Sequence, residues 1–245
     1  MSLTLRTACG TALLVWASTA CLAETLITTT AKDNTLYFDS EGLLSSGAGI
    51  YMFAGRNASQ APRRAVMAFD LSAIPAGSTI QSVSLRLHMS RTSAGAANMR
   101  LHRLTRDWGE GESDSGEPGG GGAGAMPGDA TWLHSFFDTE RWTNAGGDFT
   151  PAFSAQTTVS GFGYYTWSGN GLVNDVQNWV NHTQLNAGWI LIGPETTRSA
   201  KRFATHENPD SSIRPRLTIN YIPVPEPASA LGFAIAGLVI ARRKL

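Results

Sequence analysis

Along residues 82–89 apolar and polar positions alternate, with Val83, Leu85, Leu87 and Met89 on one side and Ser82, Ser84, Arg86 and His88 on the other. A period of two is the spacing of a strand with one face buried. Just before it, Ile74-Pro75-Ala76-Gly77 reads as a turn, because proline presets φ and glycine accepts backbone angles that other residues avoid. Similar short runs occur at 26–30, 35–38, 50–54, 65–70, 99–105, 164–167, 188–192, 201–205 and 216–221. About ten short strands separated by turn residues predict an all-β body built as a β-sandwich. One segment breaks the pattern. In 172–180 the apolar residues Leu172, Val173, Val176, Trp179 and Val180 fall on one helical stripe, leaving Asn174, Asp175, Gln177 and Asn178 outside it. This predicts one short helix, capped by Asn170 or Ser168, with Trp179 covering an end of the core. Residues 109–128 have no periodic apolar face and are rich in glycine, so they read as a long loop and not as a strand. They lack the Lys-Ser/Thr ending and flanking βαβ unit of a phosphate cradle.

The two ends differ from the body. Arg6 precedes the apolar run Ala12-Leu13-Leu14-Val15-Trp16-Ala17, and small residues continue to Ala23. That order predicts a signal peptide over 1–23, too short to span a bilayer, with cleavage after Ala23 or after Ala20. Acylation of Cys21 is disfavoured by Ser18, which stands where a lipoprotein signal prefers leucine. At the other end Pro225, Glu226 and Pro227 precede a nearly all-apolar run, 228–241, and then Arg242, Arg243 and Lys244. The run is shorter than the roughly 20 residues of a comfortable spanning helix. In this order the three parts resemble a PEP-CTERM sorting signal of Gram-negative bacteria. The resemblance implies a C-terminal apolar helix, transient residence in the inner membrane through 228–241, and an exosortase-like protease that recognises Pro225, Glu226 and Pro227.

Charge and cysteine content narrow the classes open to the body. Residues 24–223 carry 15 Lys and Arg against 18 Asp and Glu, which is the chain's 19 of each less Arg6, Arg242, Arg243 and Lys244 on one side and Glu226 on the other. A slightly acidic body gives no electrostatic reason to expect nucleic acid as a partner. Both cysteines, Cys9 and Cys21, precede the body, which excludes a disulfide framework, a CxxC metal site and a cysteine nucleophile there.

A family resemblance rests on several stretches in order. They are Phe69-Asp70-Leu71-Ser72-Ala73-Ile74-Pro75, Leu85-Arg86-Leu87, Leu101-His102-Arg103-Leu104, Asp107-Trp108-Gly109-Glu110-Gly111 and Asp129-Ala130-Thr131-Trp132. Trp142, Gly146-Gly147-Asp148-Phe149, Asp175-Val176-Gln177-Asn178-Trp179, Gly188-Trp189-Ile190-Leu191, Ala200-Lys201-Arg202-Phe203 and Arg214-Pro215-Arg216-Leu217 continue it. Together they resemble the DNRLRE domain family over about residues 33–221, although the eponymous segment is only imperfectly matched by Asp33-Asn34-Thr35-Leu36-Tyr37-Phe38. The resemblance implies one jelly-roll-like β-sandwich over 24–222, followed by the sorting segment 223–245. It also implies a carbohydrate-binding-module-like domain of secreted and surface proteins.

The expected product is an exported, cell-surface or extracellular-matrix protein, non-catalytic and binding exopolysaccharide. Sugar binding needs exposed aromatic faces with polar groups beside them. Trp108, Trp132 and Trp142, with Asp107, Glu110 and Arg141, are the candidates, against the alternative that these large rings serve burial. Tyr164, Tyr165 and Trp167 stand nearby in sequence. A polysaccharide lyase or hydrolase is a second class, with Asp107 and Glu110 as paired carboxylates, but the loop offers nothing to fix their geometry, and His102, His134 and His206 are scattered. A purely structural matrix protein is a third. No cofactor is called for, and no metal-ligand spacing is present; a structural calcium would leave no signature, with Asp39, Asp70 and Asp148 as nominal ligands. Arg198, Lys201 and Arg202 form a basic patch beside Glu195 and Glu207, read first as a solvated strand with cross-strand ion pairs and second as a contact for an anionic polysaccharide.

Overall fold

The computed structural model describes residues 22–224, so the predicted signal segment before Leu22, the Pro225-Glu226-Pro227 motif and the 228–241 run lie outside the described residues. Ala23, the predicted cleavage residue, is exposed and directly precedes the first strand. The elements in order are β1 (Glu24–Thr28), β2 (Lys32–Tyr37), β3 (Leu44–Ser45), β4 (Tyr51–Arg56), β5 (Pro62–Ala68), β6 (Thr79–Thr92), β7 (Ala97–Leu104) and β8 (Ala123–Gly124). They continue with β9 (His134–Phe136), β10 (Glu140–Arg141), β11 (Phe149–Val159), β12 (Gly163–Ser168), α1 (Asn170–Val180), β13 (Trp189–Ile192), β14 (Lys201–Ala204) and β15 (Arg216–Ile222).

Eleven strands form one curled antiparallel sheet in the order β1-β15-β6-β14-β4-β5-β13-β7-β11, with β12 also on β6 and β2 also on β5. The curl turns on β4. Its Tyr51 to Ala54 pair with β14, whereas Gly55 and Arg56 pair with β5. Gly55 has φ of 101° and lies against Ser199, where a Cβ would come within 2.6 Å of the hydroxyl oxygen, so this change of partner requires glycine. In β6 the alternation appears as predicted, with Val83, Leu85, Leu87 and Met89 buried while Ser82 is exposed and Arg86 and His88 are half-buried.

Two apolar clusters share the inner strands. The larger gathers Met67, Leu85, Leu87, Met89, Leu101, Trp167, Val176, Trp179, Trp189 and Leu191. The smaller lies on the opposite side of β5 and β13 and gathers Leu36, Val66, Leu104, Trp108, Trp132, Trp142 and Ile190. Consecutive residues of β13 therefore serve different cores, Trp189 and Leu191 one and Ile190 the other, which is why this strand is apolar on both faces.

Three expectations need correction. Helix α1 forms where periodicity places it, but Gly169 is its N-cap and no side chain caps it. Asp175 is buried, not outside the stripe: it accepts hydrogen bonds from Ser154 Oγ at 2.5 Å and Trp189 Nε1 at 2.8 Å and faces Arg103 at 3.5 Å. The Gly-rich stretch is tied to the body, since β8 pairs with β3, Ala48 N–H donates to Ser113 O, and the Tyr37 hydroxyl donates to Gly119 O at 2.9 Å.

Candidate functional site

The three tryptophans nominated for sugar binding are buried, with Trp108 0%, Trp132 7% and Trp142 5% exposed. Their indole N–H groups are used internally where they point inward, Trp108 Nε1 donating to Ala187 O and Trp142 Nε1 to Thr131 O, both at 2.9 Å. Lys32 lies over the Trp108 ring and Arg64 over Trp132, at 4.6 and 4.7 Å from the centroids. These rings are the second core and present no flat face to a ligand. Of their polar companions, Asp107 pairs with Lys32 Nζ at 2.6 Å, Arg141 is exposed on β10, and Glu110 belongs to a different cluster described below. Trp167 is likewise core, while Tyr164 is exposed and Arg86 stacks on it at 4.5 Å.

What the fold assembles instead at the surface is a cationic groove of about 340 Å³. Arg63 comes from β5, Arg91 from the end of β6, Arg198 from the approach to β14, and Lys201 and Arg202 from β14 itself. The folded-back Gly-rich stretch supplies one wall through Gly120, whose carbonyl accepts from Arg63 Nε at 3.3 Å and Nη2 at 3.1 Å. Among the described residues neither Asp nor Glu lines the groove. Among the described residues none of the five cations forms an ion pair within 4.0 Å. The expected partners are engaged elsewhere, Glu195 with Arg64 at 2.7 Å and Glu207 with His206 at 2.8 Å.

Three of the cations, Arg63, Lys201 and Arg202, are held by neutral groups. Lys201, with 0% exposure, donates to Thr92 Oγ1 at 2.9 Å, Ala94 O at 3.1 Å and Gly95 O at 2.6 Å. Arg202 stacks on Tyr51 at 3.6 Å and donates to Ser90 Oγ at 3.0 Å. Burial lowers the Lys201, Arg63 and Arg202 pKa values; Arg91 lowers Arg202 further, while Tyr51 and Glu117 oppose the shift. Arg91 and Arg198 are exposed at the rim. Fixed positive charge with neutral supports is an arrangement that can receive an anion.

Elsewhere, Asp33 on β2, Glu110 after β7, and His206 and Glu207 after β14 bring one donor atom each within 4.8 Å of one another. Asp33 Oδ2 accepts from Thr30 Oγ1 at 2.6 Å and from His206 N–H at 3.0 Å, and His206 Nδ1 lies 3.1 Å away. Glu110 Oε1 accepts the Asp33 backbone N–H at 2.6 Å. Desolvation pushes the Glu110 carboxyl up to about 7, and hydrogen bonds to Asp33 and Glu207 raise His206 to about 10.

The nominal calcium ligands do not meet in such a cluster. Asp39 and Asp70 serve local turns, accepting from Leu43 N–H and Ser72 N–H. Asp148 is used up by Thr143, Asn144 and Arg106. The chemistry of Asp33, His206 and Glu207 is divided among positions far apart in the chain, and only the adjacency of His206 and Glu207 is a local signal in the sequence. Compared with protein-family models and with curated proteins, the chain matches none. Among the described residues no helix is long and apolar enough to cross a membrane.

Proposed function

We propose that this chain is an exported, non-catalytic cell-surface or extracellular-matrix protein whose body binds an acidic polysaccharide in the cationic groove. The observation that carries the reading is the meeting of Arg63, Arg91, Arg198, Lys201 and Arg202 in one groove without a lining carboxylate. A near-neutral protein that gathers five cations in one concavity attracts anions there. Thr92, Ser93 and Asn57 in the same lining offer hydroxyl and amide groups of the kind that meet sugar hydroxyls. Export rests on the order of charged, apolar and small residues before Ala23, and surface sorting by an exosortase-like protease on Pro225, Glu226 and Pro227 with the 228–241 run. In this reading the curled sheet is a jelly-roll-like sandwich of the DNRLRE type, and the three tryptophans stabilise it without touching the glycan.

Affinity electrophoresis of the purified protein in gels containing an acidic polysaccharide, or its neutral counterpart of matching linkage, tests the binding. Retardation by the acidic polymer alone, relieved at about 0.5 M salt where the Debye length falls below roughly 5 Å, is the expected result. Equal mobility in both gels and in plain gel overturns it.

A further inference from the structure

The second charged cluster has a different chemistry from the groove and shares none of its residues. Three elements deliver three carboxylates and one imidazole to one place beneath the surface. Asp33 has no exposure at all, and its two oxygens are used unequally. Oδ2 lies within hydrogen-bond distance of three donors, whereas Oδ1, also buried, has no hydrogen-bond partner. Glu207 repeats the asymmetry, with Oε1 facing His206 Nε2 at 2.8 Å and Oε2 buried without a partner. A buried carboxylate oxygen left unpaired has lost its hydration without a replacement, so two of them in one cluster need a reason.

Charge gives the same indication. Among the described residues no Lys or Arg lies within ion-pair distance of Asp33, Glu110 or Glu207; His206 is their one cationic partner. When all three carboxyls are ionised, one imidazolium offsets only one of them. Desolvated charge of one sign requires a counter-charge of matching size, and a divalent ion supplies it in a single atom.

The surroundings hold the carboxylates in place without occupying the two open oxygens. Glu110 Oε1 accepts from Asp33 N–H, and the Glu110 backbone carbonyl accepts from Asn34 Nδ2 at 2.7 Å. Gly47 packs so tightly on that carbonyl that a Cβ there would lie 1.8 Å from the oxygen. His206 spans the other two acids, contacting Asp33 through Nδ1 and Glu207 through Nε2. Its contacts are to Asp33 Oδ2 and Glu207 Oε1, the oxygens opposite the unpartnered pair.

We infer that Asp33, Glu110 and Glu207 bind one hard divalent cation, of which calcium is the expected species, through carboxylate oxygens that include Asp33 Oδ1 and Glu207 Oε2. His206 is a positioning residue that orients two of the ligands from outside. Carboxylate oxygens suit calcium, magnesium and manganese, whereas an inner imidazole would favour zinc. Because the ligands come from β2, the stretch after β7 and the stretch after β14, the ion fastens three sections of chain that are distant in sequence.

The experiment uses the purified protein stripped with EDTA and then titrated with calcium, magnesium, manganese or zinc chloride, followed by calorimetry and by thermal unfolding. One equivalent of calcium is expected to bind, and at a hundredfold excess over Kd the unfolding midpoint rises by about 5–10 °C. Glu207→Gln keeps size and hydrogen bonding and is expected to weaken calcium binding at least tenfold, while Glu112→Gln, on the exposed part of the Gly-rich stretch, changes nothing. Asp33→Asn is read only if it folds, and Glu207→Gln decides if it does not. No heat and no midpoint shift with folded native protein overturns the site. Binding unaltered by Glu207→Gln overturns its location, and tighter zinc than calcium binding, lost in His206→Gln, overturns the oxygen-ligand assignment.

Discussion

Trp108, Trp132 and Trp142 lie close together in the chain and are buried together, whereas Arg63, Arg91, Arg198, Lys201 and Arg202 come from three separate stretches and meet in a surface groove. The tryptophans fill the space that the segment between β7 and β11 encloses against β5 and β13. The cations meet because β14 lies between β4 and β6 and brings its basic residues beside those of their neighbours. Nearness in sequence reported a core, and nearness across strands reported surface chemistry. The difference follows from what each group needs: a large ring gains by leaving water, while a guanidinium keeps its charge useful only where an anion can reach it.

If this division is right, substitutions at the two regions move different observables. The largest effect is expected from Trp108→Ala, which empties a wholly buried position and strips the donor from Ala187 O, at a cost of about 3–5 kcal/mol in denaturant unfolding. Below its unfolding transition this variant should retain native affinity for acidic polysaccharide; a specific loss of binding by a folded Trp108→Ala protein would return the tryptophan to the ligand site. Next is the double reversal Arg91→Glu with Arg198→Glu at the exposed rim. It should weaken acidic-polymer binding about 100-fold, roughly 2.7 kcal/mol, with an unfolding midpoint within a few degrees of native. Unchanged retardation would move the site elsewhere.

Smaller effects come from the polar residues that the sequence grouped with the tryptophans. Asp107→Asn breaks a partly exposed pair with Lys32 and should cost less than about 1 kcal/mol of stability and none of the affinity. Arg141→Ala, exposed on β10, should stay within about 0.5 kcal/mol of native in unfolding and be indistinguishable in binding. A tenfold loss of affinity in either variant would join the two regions into one site.

Legibility in the sequence followed burial. Strand β6 could be read because one face is core and the other meets water, so alternation of Val83 to Met89 against Ser82 to His88 is forced. Strand β11 could not: residues 151–153 and several later ones are exposed, the register shifts twice against β7, and Pro151 and Ser154 carry no strand signal. Helix α1 was visible in its stripe, but Asp175 was misplaced because the donors that make its burial tolerable, Ser154, Trp189 and Arg103, belong to other elements. For the groove, Arg198, Lys201 and Arg202 stood out as basic neighbours, yet Arg63 and Arg91 join them only through strand pairing. The Asp33 cluster was the least legible, since its four residues span most of the body and have no spacing in common.

One consequence follows from where β15 sits. It lies between β1 and β6, pairing Thr25 with Asn220 on one side and Ser82 with Asn220 on the other, and it brings Leu217, Ile219 and Tyr221 into the larger core. Among the described residues β1 thus has no sheet neighbour except β15. Synthesis from the N-terminus delivers every other described strand before the wedge that closes the edge. Until residues 216–222 emerge, Val83 and Leu85 lack their β15 partners, Ile219 and Leu217, and β1 hangs unpaired. Order of synthesis thereby becomes a timer that delays closure of this sheet edge until nearly the whole body is available.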